Sequence, residues 1–248
     1  MPERILDVCF TPGYLDKVQV SECDIIVVVD ILRASTTICT AFAHGVYRIM
    51  PVADIRVAEE YKKSGRFVAA ERDGVKADFA DYGNSPFEYM TPGIRGKTLV
   101  YSTTNCTHAL EKAAGRGRVV VASFVNLDAA AGWIGGEKTN VVILCAGWKN
   151  RFGLEDAVFA GALAEKLVEP GDIGTVCDAA RASLAIWKAA SKDVRAFLSK
   201  AEHVRRLMDL GLEEEIGYCL SPLQADVVPV LKGGVISDIR GSSNINNQ

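Results

Sequence analysis

The sequence predicts an α/β fold, a mostly parallel sheet with helices on both faces and an extra helical segment near 172–217. Three observations carry this prediction. Residues 24–29 (DIIVVV) form an apolar run of the kind buried on both faces of a parallel sheet. Short β-branched runs alternate with longer stretches of helical spacing, the rhythm of βαβ units. Apolar residues make up 49% of the 248 and charged residues 24%, which suits a large core and excludes a disordered chain.

The elements follow in order. Residues 24–29 form the first expected strand and 34–44 the helix after it. Residues 46–52 read as a strand, followed by a helix through Ala58, Glu59 and Tyr61, then a short strand at 67–70. Residues 77–93, rich in Gly, Asn, Asp and Pro, read as a loop. The alternation resumes with strands at 98–102, 119–123 and 141–145 and helices at 107–114, 127–134 and 155–168. In the last of these, Ala157, Ala160, Ala164 and Leu167 recur at helical spacing. Residues 172–217 read as helical throughout and are expected to lie over one edge. Residues 227–231 and 235–239 form a hairpin around Gly233 and Gly234. With no internal repeat or Pro/Ser-rich linker, a single α/β domain is expected over 1–240, with a polar tail at 241–248.

Composition narrows the function classes. A net charge of −3 gives no general attraction to nucleic acid. No apolar run approaches the roughly 20 residues of a membrane span. The N-terminal residues Glu3, Arg4 and Asp7 do not fit a secretion signal, so a cytoplasmic protein is expected. Seven cysteines without a Cys-x-x-Cys pair, and three scattered histidines, point to reduced thiols rather than structural zinc. A homodimer is the default for a soluble enzyme.

Parallel sheets bind ligands beyond the carboxyl ends of their strands. The residues there are Asp30, Arg33 and Ser35–Thr37, then Glu71 and Arg72, then Thr103, Thr104, Asn105 and Thr107, then Ser123 and Asn126, then Cys145, Gly147, Glu155 and Asp156. Singly, such residues are ordinary helix caps. As a set they mix anion-binding helix starts with carboxylates, which would repel an anion unless a hard divalent cation lay between them. Metal plus phosphate is the chemistry this suggests. No Gly-x-x-x-x-Gly-Lys loop and no Gly-x-Ser-x-Gly elbow occur. Cys145 to Arg151 has the Cys-x5-Arg spacing of cysteine phosphatases, but it lacks the neighbours that lower a thiol pKa. Trp133, Trp148 and Trp187 are expected to pack, with coverage of a ligand the alternative for Trp148.

The segments DILRASTT (30–37), ER (71–72), GNSP (83–86), TTNCT (103–107), CAG (145–147) and LED (154–156) occur in this order, with weaker likeness continuing to DVVP (226–229). Together they resemble the 2-phosphosulfolactate phosphatase family. The resemblance implies an α/β, Mg²⁺-dependent phosphomonoesterase that converts 2-phospho-3-sulfolactate to 3-sulfolactate and phosphate in coenzyme M biosynthesis. Cys106 stands where the family usually has Gly, and Ala70 where Gly commonly precedes the Glu.

On this basis Asp30, Glu71 and Asp156 are expected to face the metal, with Glu155 a substitute for Asp156. Asp30 is equally compatible with a nucleophile or a general base. Thr103, Thr104, Asn105 and Thr107 are expected on phosphoryl oxygens, and Arg33 and Arg72 on the carboxylate and sulfonate of the small anionic substrate. Asn84 and Ser85 would shape the loop, with Cys145 and Gly147 lining the site. Two other classes stay open: a cysteine phosphatase using Cys145 and Arg151, and a non-catalytic anion-binding domain.

Overall fold

The computed structural model describes residues 4–168, 171, 173–175 and 177–241. The chain runs through β1 (Arg4–Cys9), β2 (Ile25–Val29), α1 (Ala34–Ala43), β3 (Arg48–Pro51), α2 (Ile55–Lys63), β4 (Phe67–Arg72) and β5 (Val75–Lys76). Next come β6 (Thr98–Ser102), α3 (Cys106–Ala113), β7 (Arg118–Val121), α4 (Leu127–Gly136), β8 (Val141–Cys145) and α5 (Leu154–Val168). β9 (Ile173–Thr175) precedes four helices, α6 (Asp178–Ala190), α7 (Val194–Leu198), α8 (Glu202–Asp209) and α9 (Glu213–Cys219). The chain closes with β10 (Pro229–Lys232) and β11 (Val235–Asp238).

The strands lie in the order β5-β4-β6-β3-β11-β10-β7-β2-β8-β1-β9. β4, β6 and β3 are parallel neighbours, as are β7, β2, β8, β1 and β9. The β10–β11 hairpin pairs antiparallel with β7 on one side and β3 on the other, so it joins two parallel blocks that run in opposite senses. Gly233 and Gly234 make its turn at φ 58° and 77°, a left-handed pair that β-carbons disfavour. Sheet twist, roughly 20–25° per neighbouring pair, accumulates across the six steps from β2 to β4. The loops after β4 and β6 meet those after β2 and β8: the Asn105 side chain accepts from Lys149 N–H at 2.9 Å.

The central run behaves as its composition requires. All five residues of β2 are buried. The pleat sends Ile25, Val27 and Val29 into one core and Ile26 and Val28 into the other. Phe124, Phe159, Leu163 and Leu167 fill the first core, and Ile38, Leu99, Tyr101 and Leu110 the second. A smaller cluster packs Ala58 of α2 on Val68, Ala70 and Val100.

Three strands differ from the sequence reading. β1 was not expected, because Arg4 and Asp7 interrupt its apolar pattern, yet it pairs with both β8 and β9. The region 172–217 is not helical throughout: the edge strand β9 precedes its helices, and Asp172 lies outside the described residues. β5 is a two-residue return on β4. Residues 242–248 of the expected tail also lie outside the described residues.

Candidate active site

Four carboxylates collect where β2, β4 and β8 end. Asp30, Glu71, Glu155 and Asp156 are each at most 6% exposed. Asp156 ties two loops together: its Oδ1 accepts from Ile31 N–H and its Oδ2 from Gly147 N–H, both at 2.9 Å. Glu71 does the same beside β4, accepting from Gly74 N–H and Thr104 N–H, both at 2.7 Å. Glu155 Oε1 lies 2.6 Å from His203 Nδ1. The Ala34 N–H at the start of α1 lies on the Asp30 carboxyl's side and favours its charged form.

The cluster is electrostatically unfavourable as it stands. Burial pushes the Asp30 carboxyl up to about 7; nearby His203 pulls it down, while the negative charges of Glu71 and Glu155 raise it further. Asp156 is pushed well above the ordinary carboxylate range, first by burial and then by Glu155 and Asp30, against the two N–H bonds it accepts. Such repulsion is the signature of a site arranged for a positive ligand rather than for stability.

The loop after β8 is held by backbone geometry. Gly147 sits at φ 59°, and a β-carbon there would lie 2.0 Å from the Arg151 carbonyl oxygen. Trp148 and Arg151 bond each other's backbone across a tight turn. Two cavities border this loop, one of about 610 Å³ lined by Thr104, Asn105, Ala146 and Lys149 among others, and one of about 210 Å³ lined by Trp148, Glu155, His203 and Arg206 among others.

The remaining expected residues divide. Thr104 donates its hydroxyl to Glu71 at 3.2 Å and borders the larger cavity with Asn105. Thr103 and Thr107 are 1% exposed and satisfy each other, each hydroxyl accepting the other's N–H, so they cap α3 instead of facing a ligand. Asn84 accepts from the Tyr101 hydroxyl, and its carbonyl accepts from Thr37 at 2.9 Å; Ser85 donates to Glu215 at 3.2 Å. Both therefore fix the loop. Arg33 donates to the Gly74 carbonyl at 2.8 Å and faces Glu215 at 3.9 Å.

Arg72 is a correction. Strand alternation turns it away from Glu71, and it donates to the carbonyls of Glu71 and Ala53 and to Ser102 Oγ. Asn126 is likewise committed, its side-chain oxygen accepting from Ser123 N–H at 2.9 Å and its amide donating to the Val227 carbonyl at 3.1 Å. Cys145 is 0% exposed and its thiol is pushed well up by burial and by Asp156, while Arg151 lies on the surface facing Glu202 at 3.5 Å. That removes the cysteine-phosphatase reading, since neither a thiolate nor its arginine is available. Cys106 points into the core and leaves the loop backbone unobstructed.

Among the described residues, no three His, Cys, Asp or Glu side chains are arranged to hold a metal ion. Asp156 and Glu71 are turned to backbone N–H groups, so the set Asp30, Glu71 and Asp156 is not a preformed cage. The donors are hard carboxylate oxygens, and Mg²⁺ is commonly held by one or two carboxylates plus substrate phosphate and water. Asp30, which is not shared between two backbone N–H groups as Asp156 and Glu71 are, fits that smaller role.

Sequence reading missed His203, Arg206 and Glu215. They come from α8 and α9, far along the chain, and no local motif marks them. His203 and Arg206 are three residues apart and share a helix face. Arg206 stacks on Trp148 at 3.7 Å, and Trp148 also lies 5.3 Å from the His203 ring.

The family described as 2-phosphosulpholactate phosphatase matches residues 9–234. A protein of Thermotoga maritima named "Probable 2-phosphosulfolactate phosphatase" is 36% identical over 214 residues, covering 86% of this chain and 92% of its own. A protein of the same name from Carboxydothermus hydrogenoformans is 37% identical over 226 residues, covering 90% and 92%. One from Clostridium perfringens, again with that name, is 30% identical over 246 residues, covering 97% and 98%. No helix among the described residues is long and apolar enough to cross a membrane.

Proposed function

Because this chain belongs to the 2-phosphosulfolactate phosphatase family, a family of phosphoric monoester hydrolases, we propose that the Asp30 site hydrolyses 2-phospho-3-sulfolactate to 3-sulfolactate and phosphate with Mg²⁺. The observation that supports this reading most is the buried, mutually repelling carboxylate cluster beside the starts of α1 and α3. An acidic cluster cannot receive a phosphate dianion unaided. Asp30 would hold the cation together with substrate oxygens. Mg²⁺, when bound, supplies neutralisation of phosphoryl charge.

The chain's own residues divide the remaining work. Asp156 and Glu71 hold the loops after β2, β8, β4 and β6 at fixed spacing through their N–H bonds. Asn105, at the start of α3, would face the anion with its side-chain amide, while Thr104 holds Glu71 through both its N–H and its hydroxyl. Water adds to phosphorus, the bond from phosphorus to the C2 oxygen breaks, and that oxygen takes a proton. The Glu155–His203 pair, with Oε1 and Nδ1 2.6 Å apart beside Asp30, would accept the proton of the water or return it. The reaction would serve coenzyme M biosynthesis in the cytoplasm.

The test is phosphate release from a panel of 2-phosphosulfolactate, 2-phospholactate and phosphoglycolate. The expected result is the highest kcat/KM on 2-phosphosulfolactate, lost in EDTA and restored by Mg²⁺. No release from any of the three with Mg²⁺ present, or turnover indifferent to EDTA, contradicts the proposal.

A further inference from the structure

We infer that Arg206, held on the face of Trp148, is the subsite that receives the sulfonate end of the substrate and so determines specificity for it. The inference rests on the proposed phosphatase reading and deepens it. The two arginines that sequence suggested for this role are committed elsewhere: Arg72 to two carbonyls and Ser102, Arg33 to the Gly74 carbonyl with Glu215 opposite. Arg206 is committed at one nitrogen only, its Nη1 donating to the Asp73 carbonyl at 2.8 Å. Its Nε is buried without an acceptor, and its Nη2 has no acceptor among the described residues. Nε and Nη2 form one edge of the guanidinium, a planar two-donor fork that matches two oxygens of a sulfonate or carboxylate.

The surroundings point the same way. The guanidinium carbon lies 3.7 Å from the centre of the Trp148 ring, which fixes its plane. Arg206 lines the 210 Å³ cavity together with Trp148, Glu155 and His203, and Glu155 adjoins the carboxylate cluster. Asp73 links Arg206 to the loop before α3, its carbonyl accepting from Arg206 Nη1 at 2.8 Å and its N–H donating to Thr104 Oγ1 at 2.9 Å, so a ligand phosphorylated at the start of α3 would carry its neighbouring anionic arm toward this cavity. Partial burial also leaves the cation short of water, and desolvation lowers its pKa from the ordinary value. An incoming anion relieves both deficits, the orphaned donor and the under-solvated charge.

Three substrates separate the anionic arms: 2-phosphosulfolactate has carboxylate and sulfonate, 2-phospholactate lacks the sulfonate, and phosphorylated 2-hydroxyethanesulfonate lacks the carboxylate. Arg206→Gln is expected to lower kcat/KM on the two sulfonated substrates, mainly through KM, roughly 10- to 100-fold more than on 2-phospholactate. Arg206→Lys, which keeps charge but not the fork, is expected to fall between. Equal losses on all three substrates, or a loss that follows the carboxylate, overturn the inference. Calorimetric binding of 3-sulfolactate provides a readout free of turnover. Wild type should bind it and Arg206→Gln at least tenfold more weakly; equal binding by both, or none by wild type, overturns the inference. A wild type that binds sulfolactate through Arg206 yet hydrolyses none of the three refutes the phosphatase reading alone.

Discussion

Asp30→Asn should abolish turnover and at the same time make the protein more stable, increasingly so as pH rises. The structure sets the size of this effect. The Asp30 carboxyl is raised from 3.8 to about 7 by burial and by Glu71 and Glu155. Between about pH 4 and 7 the folded state keeps a proton that the unfolded chain has lost. Stability therefore falls as pH rises through that window, with no cost below about 4 and the full cost above about 7. The rise corresponds to roughly 4 kcal/mol at pH 8 and to less than half of that at pH 5. Asn keeps the shape but carries no charge. At about 2–4 °C per kcal/mol for a chain of this size, thermal melts in EDTA should place Asp30→Asn roughly 8–15 °C above wild type at pH 8 and only a few degrees above it at pH 5. Adding Mg²⁺ at pH 8 should raise the Tm of wild type and leave that of Asp30→Asn in place. A Tm difference that does not widen between pH 5 and pH 8 refutes the electrostatic argument.

Three further outcomes follow from named contacts. Cys145→Ser should retain kcat within about threefold while losing about 1–2 kcal/mol for a buried hydroxyl, measured by denaturant titration beside phosphate release; a folded variant more than a hundredfold slower would restore the cysteine mechanism. Gly147→Ala places a methyl against the Arg151 carbonyl at a positive φ, so the loop must shift and Asp156 lose one of its two N–H partners. Its kcat/KM should fall by about 10²-fold, and near-normal activity would show that loop position is unimportant. His203→Phe should cost about 1–3 kcal/mol by stranding the Glu155 carboxylate; adding Glu155→Gln should recover stability but not turnover, and an additive double-mutant cycle would deny the pairing.

The parts of this site that sequence made legible are those encoded locally. The DIIVVV run had to be a central strand, and the polar residue after it had to lie at the carboxyl end. Glu71, Thr104, Asn105, Gly147 and Asp156 follow by the same reasoning at the ends of β4, β6 and β8. The roles of the arginines were not legible. Arg72 follows Glu71 directly, and the pleat sends adjacent strand residues to opposite faces. Arg206 reaches the site only because α8, late in the chain, packs back onto the loop after β8, and nothing within α8 announces that. The opposed senses of the two parallel blocks were hidden for a similar reason: a C-terminal hairpin, read as an ordinary ending, inserts between β7 and β3. Thr103 and Thr107 show the reverse error, since residues suited to bind phosphate spend their hydroxyls on each other.

The most direct measurement is a crystal structure of the protein grown with Mn²⁺ in place of Mg²⁺ and soaked with 3-sulfolactate and phosphate, with the metal located by its anomalous signal. The account predicts a metal peak against Asp30 that also contacts phosphate. A metal bound away from Asp30, or phosphate seated with no contact to the carboxylate cluster, would contradict it.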